Sequence, residues 1–245
     1  MHYLLSSVIV SALTFVTLQA KADDKTVLID QAMVQAAGGF PLKITKPGNY
    51  RLNGNLHVPA NANGIVIDAD GVVLNLGGFQ LECAGGQNTG IFSDHSTTTY
   101  NNIAVTNGNV AGCWTGVDLS GTGNATVEGL TVSGYGVVGI EVNAGAIRKS
   151  IVTGGSDPHS IGLGLSSGIV DSNFVAGGDY VGIAVYGAAF ALVVGNVVNA
   201  NYLAISTEPY QSVLAGSNTL RNSGTAYPLG TVVSQNNNLC NFTAC

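Results

Sequence analysis

Asp118 and Glu141 each stand second after a glycine, in Gly116-Val117-Asp118 and Gly139-Ile140-Glu141. If the apolar residues on either side of them point inward, both carboxylates project outward from the same slot of consecutive repeats, with backbones about 4.8 Å apart. Two carboxylates held side by side repel, so one takes up a proton or the pair recruits a cation. As an acid and a nucleophile about 5 Å apart, they would suit a retaining glycosidase. Asp94 falls diagonally one repeat earlier, and Phe92 and Tyr186 occupy outward positions where an aromatic ring could stack on a sugar. With oxygens from Asp94, Asn143 and Ser120, the same pair would instead hold Ca2+, a hard ion that takes several oxygen ligands. No other cofactor is expected. The competing expectation is a solvated face whose acids only keep the sheet soluble.

Other chemistry is poorly provided for. Abstraction of a proton from a uronate needs a base near the acids, and the repeat region offers only Arg148, Lys149 and Arg221. Arg148-Lys149 falls in a later part of its repeat than Glu141, which predicts a different face. His95 follows Asp94, and Asp157-Pro158-His159 reads as a turn. There is no Gly-x-Ser-x-Gly elbow, P-loop or His-Glu-x-x-His motif. The cysteines lack a CxxC spacing and have no neighbouring histidine, which argues against a transition-metal site.

What would position the acids is a repeat. Gly64-Ile65-Val66-Ile67 returns at Gly90, Gly116, Gly139, Gly162 and Gly182, and in degenerate form at Ala204, with steps of 26, 26, 23, 23, 20 and 22 residues. Such a period means one supersecondary unit per repeat, stacked on its neighbours. A second apolar run follows at Val73-Leu74, Ile103-Ala104-Val105, Leu130-Thr131-Val132, Ile151-Val152, Phe174-Val175 and Val197-Val198. Val127, Ile147, Val170, Val193 and Val213 add a further apolar position. No helical pattern of ten residues lies between these runs, which excludes an α/β fold. Asn102, Gly129, Ser150, Asn173, Asn196 and Asn218 precede the next strand at one bend and are read as a structural polar ladder.

These features predict an all-β, single-stranded right-handed parallel β-helix of about seven coils with a short N-terminal cap. Residues 1–22 read as a signal peptide, 23–63 as the cap and first strands, 64–222 as the β-helix and 223–245 as a C-terminal cap or tail. Within the N-terminal part, Thr26 to Ala37 suits a helix ended by Gly38-Gly39, with a strand over Thr26 to Ile29 as the alternative. The tail loses the period, and its role would be to cover a bare β edge.

Leu4 to Leu18 is mostly apolar and Ala20-Lys21-Ala22 is a small-x-small cleavage site, so export to the periplasm or beyond is expected, with no membrane span in the mature chain. Losing Lys21 leaves seven Lys and Arg against 14 acids, a formal charge of −7. So acidic a chain has no basic patch to neutralise phosphates, and nucleic acid is excluded as a partner. Four cysteines in an exported chain suit two disulfides. Cys83 and Cys113 fall in comparable turns of adjacent repeats and Cys240 and Cys245 lie close in the tail, which favours those two pairings.

The turn Pro47-Gly48-Asn49-Tyr50-Arg51-Leu52, together with the repeats, resembles the opening of exported bacterial proteins of the right-handed parallel β-helix class, which have pectate-lyase-like architecture. The resemblance covers about residues 40 to 222. It implies the fold and leaves activity open, since the class includes polysaccharide lyases, hydrolases, epimerases and adhesins. A monomeric, polysaccharide-binding or polysaccharide-active protein is the first expectation. A non-catalytic structural or surface-interaction protein is the second.

Overall fold

A computed structural model describes residues 25–94, 98–178, 180–187, 190–207, 212–222, 231–235, 237–240 and 243–244. Residues 1–22, expected to be a signal peptide, as well as His95 and Cys245 lie outside the described residues. Among the described residues the chain is nearly all strand, wound into a parallel β-helix whose coils contribute to three sheets. No helix among them is long and apolar enough to cross a membrane.

The glycine repeats build one sheet. Its inward column runs Leu42, Ile65, Ile91, Val117, Ile140, Leu163, Ile183 and Ile205, each paired in register with the next. That makes eight rungs rather than the expected seven. Leu42–Ile44 is the extra one, hidden in the sequence because no glycine opens it. The glycines are required by close approach: a methyl at Gly116 would lie 2.5 Å from the carbonyl oxygen of Gly139, and one at Gly139 the same distance from that of Gly162. Ala204 takes the glycine's place in the rung Leu203–Thr207.

The remaining apolar runs divide between two sheets. Leu74, Val105, Val127, Ile147, Val170, Val193 and Ala215 pair in the second. Leu56, Leu81, Val110, Val132, Val152, Val175, Val198, Leu220 and Cys240 pair in the third. The single second run read from sequence therefore mixes two sheets: its first two members, Val73-Leu74 and Ile103 to Val105, belong to the second and the others to the third. Unequal turns cause the mixing, because the offset from the glycine changes where a loop shortens. Inward residues from all three sheets form one continuous apolar core.

At the bend between the second and third sheets, two neighbouring residues share the work. Lys149, Ser172, Gly195 and Ser217 take positive φ. The next residues, Ser150, Asn173, Asn196 and Asn218, are buried. Asn173 donates its amide N–H and its side-chain N–H to Asn196 Oδ1 at 2.9 and 3.0 Å, and Asn196 does the same to Asn218. Gly129 belongs to the positive-φ position (φ 67°). Asn102 belongs to another turn, exposed, where its Oδ1 accepts from Asn124.

The ladder continues into the tail. Asn218 donates to Asn238 Oδ1, Thr231–Ser234 pairs with Ser212–Gly216, and Leu239–Cys240 pairs with Thr219 and Leu220. The described part of the tail thus keeps the coil geometry although its sequence loses the period. Thr243–Ala244 then turns back antiparallel on Leu239–Cys240 and covers part of the last edge.

At the other end the strand alternative holds for the start of the stretch and the expected helix is confined to its second half. Val27–Ile29 is a strand, and Gln31–Ala36 a six-residue helix whose N-cap, Asp30, accepts from the Met33 amide at 2.8 Å. Cys83 and Cys113 are joined across adjacent coils, with Cα atoms 4.9 Å apart. Cys240 is also disulfide-bonded.

Candidate functional site

The outer surface of the glycine sheet carries a column in strict register. It reads Lys43, Val66, Phe92, Asp118, Glu141, Gly164, Ala184 and Ser206. Asp118 and Glu141 are therefore direct neighbours on adjacent rungs, and Phe92 lies on the other side of Asp118. All three side chains are half-buried. Pleating alone delivers this, since residues two apart share a face.

Local bonds orient the group. Asp118 Oδ1 accepts from the Ser120 amide at 3.0 Å and from the Ser120 hydroxyl at 2.6 Å, which turns that oxygen along its own strand. Asn143 donates from Nδ2 to the Thr122 carbonyl at 3.0 Å, so its amide ties two coils together. Gly164 leaves a notch beside Glu141. A Cβ there would lie 3.1 Å from Glu141 Cγ and 3.0 Å from Tyr186 Cε2, so the tyrosine ring borders the notch next to the acid. Beyond it Tyr186 packs on a small outer cluster of Val181, Ala184 and Leu203.

A second acidic pair adjoins the first. Ile67 and Ser93 are paired, so Asp68 and Asp94, the residues that follow them, stand at the same level on adjacent rungs. The Tyr100 hydroxyl donates to Asp68 Oδ1. That bond, followed by burial and the charges of Asp68 and Asp94, holds the phenol above its ordinary value of 10.0. Both stand fourth after a glycine, Asp68 after Gly64 and Asp94 after Gly90, so the period alone sets them side by side.

The described surface separates the remaining candidates. Arg148 pairs with Glu128 and Asp171 in the second sheet, and Lys149 Nζ lies 2.7 Å from Glu128 Oε1, so neither base belongs to the acid face. Asp157 Oδ1 accepts from the His159 amide at 2.8 Å, as a turn would have it. The His159 Nδ1 lies 3.7 Å from the same Asp157 oxygen, and its ring meets that of Tyr180, which stacks on Tyr202 at 5.1 Å. Among the described residues no group of three or more His, Cys, Asp or Glu converges as a metal site would require.

The acid pair lies on an open sheet face, whereas three concavities of the described surface lie at the N-terminal end and beside Trp114. Trp114 is the chain's sole tryptophan and sequence reading passed over it. Its ring lies flat on Gly136, where a Cβ would come 2.1 Å from Cε3, and it walls a groove with Gly112 and Cys113. No protein-family model matches the chain, and no curated protein matches it either.

Proposed function

We propose that the protein is exported and binds polysaccharide through the outer face of the glycine sheet, around Asp118 and Glu141. The observation that carries this reading is the unbroken register of Phe92, Asp118, Glu141 and the Gly164 notch, with Tyr186 at its edge. It presents aromatic surface and hydrogen-bonding oxygens on one rigid plane, the combination that a sugar's apolar face and hydroxyls need. The pectate-lyase-like architecture inferred from the Pro47 turn is in keeping with a glycan ligand. The disulfide at Cys83–Cys113 is in keeping with an oxidising compartment.

Binding is favoured over hydrolysis. An acid and nucleophile pair works best where water is excluded, whereas this pair sits on a sheet face and one Asp118 oxygen already takes two bonds from Ser120. The deciding experiment is a glycan array and a reducing-end assay on the chain and on Asp118→Asn with Glu141→Gln. Loss of glycan binding with an unchanged thermal midpoint is the expected result. Binding that survives in the double variant would remove the reading and leave a rigid, non-catalytic rod.

A further inference from the structure

The backbone of Trp114 is held by the coils on either side. Its amide donates to Asn88 Oδ1 of the preceding coil at 3.1 Å, and Asn88 is itself buried and donates to the Gly85 carbonyl at 3.3 Å. From the following coil the amides of Gly136 and Val137 donate to the Trp114 carbonyl at 3.1 and 2.8 Å. Cys113, immediately before it, is bonded to Cys83. The ring therefore projects from a fixed base.

That ring is seated on Gly136. A Cβ there would come 2.1 Å from Cε3 and 2.6 and 2.8 Å from Cδ2 and Cζ3, its two ring neighbours. Similar distances to an atom and both its neighbours mean contact with the face of the indole rather than its edge. Gly136 does not have positive φ, so its backbone would accept any residue, and the indole alone requires a glycine there.

With one face covered, the half-buried ring lines a groove of about 190 Å³ with the rest of its surface. The other walls are Gly85, Gly86, Gly112, Cys113, Gly134 and Ser156. A Cβ at Gly85 would meet nothing within 4 Å, and one at Gly134 only the Gly112 amide nitrogen at 3.9 Å. The lining is thus largely bare peptide around one apolar plate, with no charged side chain in it. Asp157, from the loop that supplies Ser156, turns Oδ1 to the His159 amide. A flat apolar plate with a polar, uncharged rim is the complement of a pyranose, whose face is C–H and whose edge is hydroxyl. A planar aromatic ligand would need a second apolar wall and an anion would need a cation. This lining offers neither.

We infer that the groove binds one neutral pyranose unit of a glycan, stacked on Trp114. Its volume falls below the about 300 to 1,000 Å³ of sites for drug-sized ligands, which limits it to a single ring. Trp114 directly precedes the strand Thr115–Leu119 and stands four residues before Asp118, about 13 Å along at about 3.3 Å per residue. A sugar on the indole does not reach the acid pair, so this site stands or falls apart from the glycan face.

Because Trp114 is the sole tryptophan, its fluorescence reports on this site. The test titrates the chain with the neutral tetrasaccharides cellotetraose, xylotetraose, mannotetraose and maltotetraose, with anionic tetragalacturonate, and with adenine as a planar aromatic probe. A saturable change with at least one neutral tetrasaccharide is expected, with tetragalacturonate and adenine at least tenfold weaker. Gly134→Asn places a side chain beside Gly112 in the groove, at a φ of 59° that asparagine tolerates, and should weaken that saccharide at least tenfold with little movement of the thermal midpoint. Gly136→Ala, whose methyl displaces the ring, should shift the emission maximum and weaken the same saccharide. The proposal is overturned if no neutral tetrasaccharide changes the signal, if adenine or tetragalacturonate binds as well, or if Gly134→Asn keeps full affinity. It is equally overturned if Asp118→Asn with Glu141→Gln abolishes the signal and Gly134→Asn does not, since the indole would then be reporting the acid face.

Discussion

Two polar columns run along this solenoid in register, the asparagines at one bend and the acids on the glycine sheet, and they obey opposite rules. Asn173, Asn196, Asn218 and Asn238 repeat one residue type, are buried, and bond to one another and to backbone carbonyls such as Val170 and Ala215. The acid column changes residue at nearly every rung, from Phe92 to Asp118 to Glu141 to Gly164, and its Phe92, Asp118 and Glu141 side chains are only half-buried. A buried column must repeat, because each amide needs the next one to avoid an unsatisfied group in a medium of low dielectric. An outer column is under no such demand. Variation there is free to serve a ligand.

The contrast can be broken most severely at the bend. Asn196→Ala removes the acceptor for Asn173 and the donor to Val170, both buried, and should cost about 3 to 5 kcal/mol in a urea unfolding titration. A loss below about 1 kcal/mol would mean that the ladder is ornamental. Gly116→Ala comes next. Its methyl meets the Gly139 carbonyl and Val132 at 2.5 and 2.6 Å, and a loss of about 2 to 3 kcal/mol is expected by the same measurement. On the acid column, Asp118→Asn with Glu141→Gln should change stability by less than about 0.5 kcal/mol while abolishing glycan binding. A large loss of stability would show that the two columns are alike after all.

The smallest effect is at Glu128 and Lys149, an exposed pair on the second sheet. The hydrogen bond and charge of Lys149 hold the Glu128 carboxyl below its ordinary value of 4.5, and the Lys149 ammonium is held above 10.5 by the same partner. The folded carboxyl has the lower pKa, so its contribution is present above about 4.5 and is lost as pH falls through the folded value. The contribution of Lys149 is present below 10.5 and is lost as pH rises through its own. Titrating the Glu128 carboxyl by NMR in the chain and in Lys149→Met should show it return toward 4.5 in the variant, with the difference shrinking in high salt.

Much of this was legible in the sequence. The glycine period and the alternation of side chains gave the rungs and the pairing of Asp118 with Glu141, because a two-residue period leaves no freedom once the inward residues are known. The similar turn positions of Cys83 and Cys113 pointed to their disulfide. The first rung escaped because Leu42–Ile44 lacks the glycine that marks the others. Asn238 escaped because it hides in a run of asparagines after the period has shortened. The Asp68 and Asp94 pair could have been found by comparing fourth positions as carefully as second ones. The Trp114 platform could not, since it depends on which glycine of the next coil comes to lie beneath the ring, and that appears only when the coils are stacked.

The disulfide between Cys83 and Cys113 also bears on how the chain comes together in time. Each coil touches only the one before and the one after it, so structure can spread along the axis like a zip from any stretch that forms first. Closing a loop of 30 residues removes about 3 to 4 kcal/mol of chain entropy from the unfolded ensemble, and it does so at the early coils alone. The bridge therefore stabilises the early coils relative to the rest of the stack. Under reducing conditions that local support is lost, and the coils nearest Gly64 and Gly90 should be the first to exchange their amide hydrogens faster.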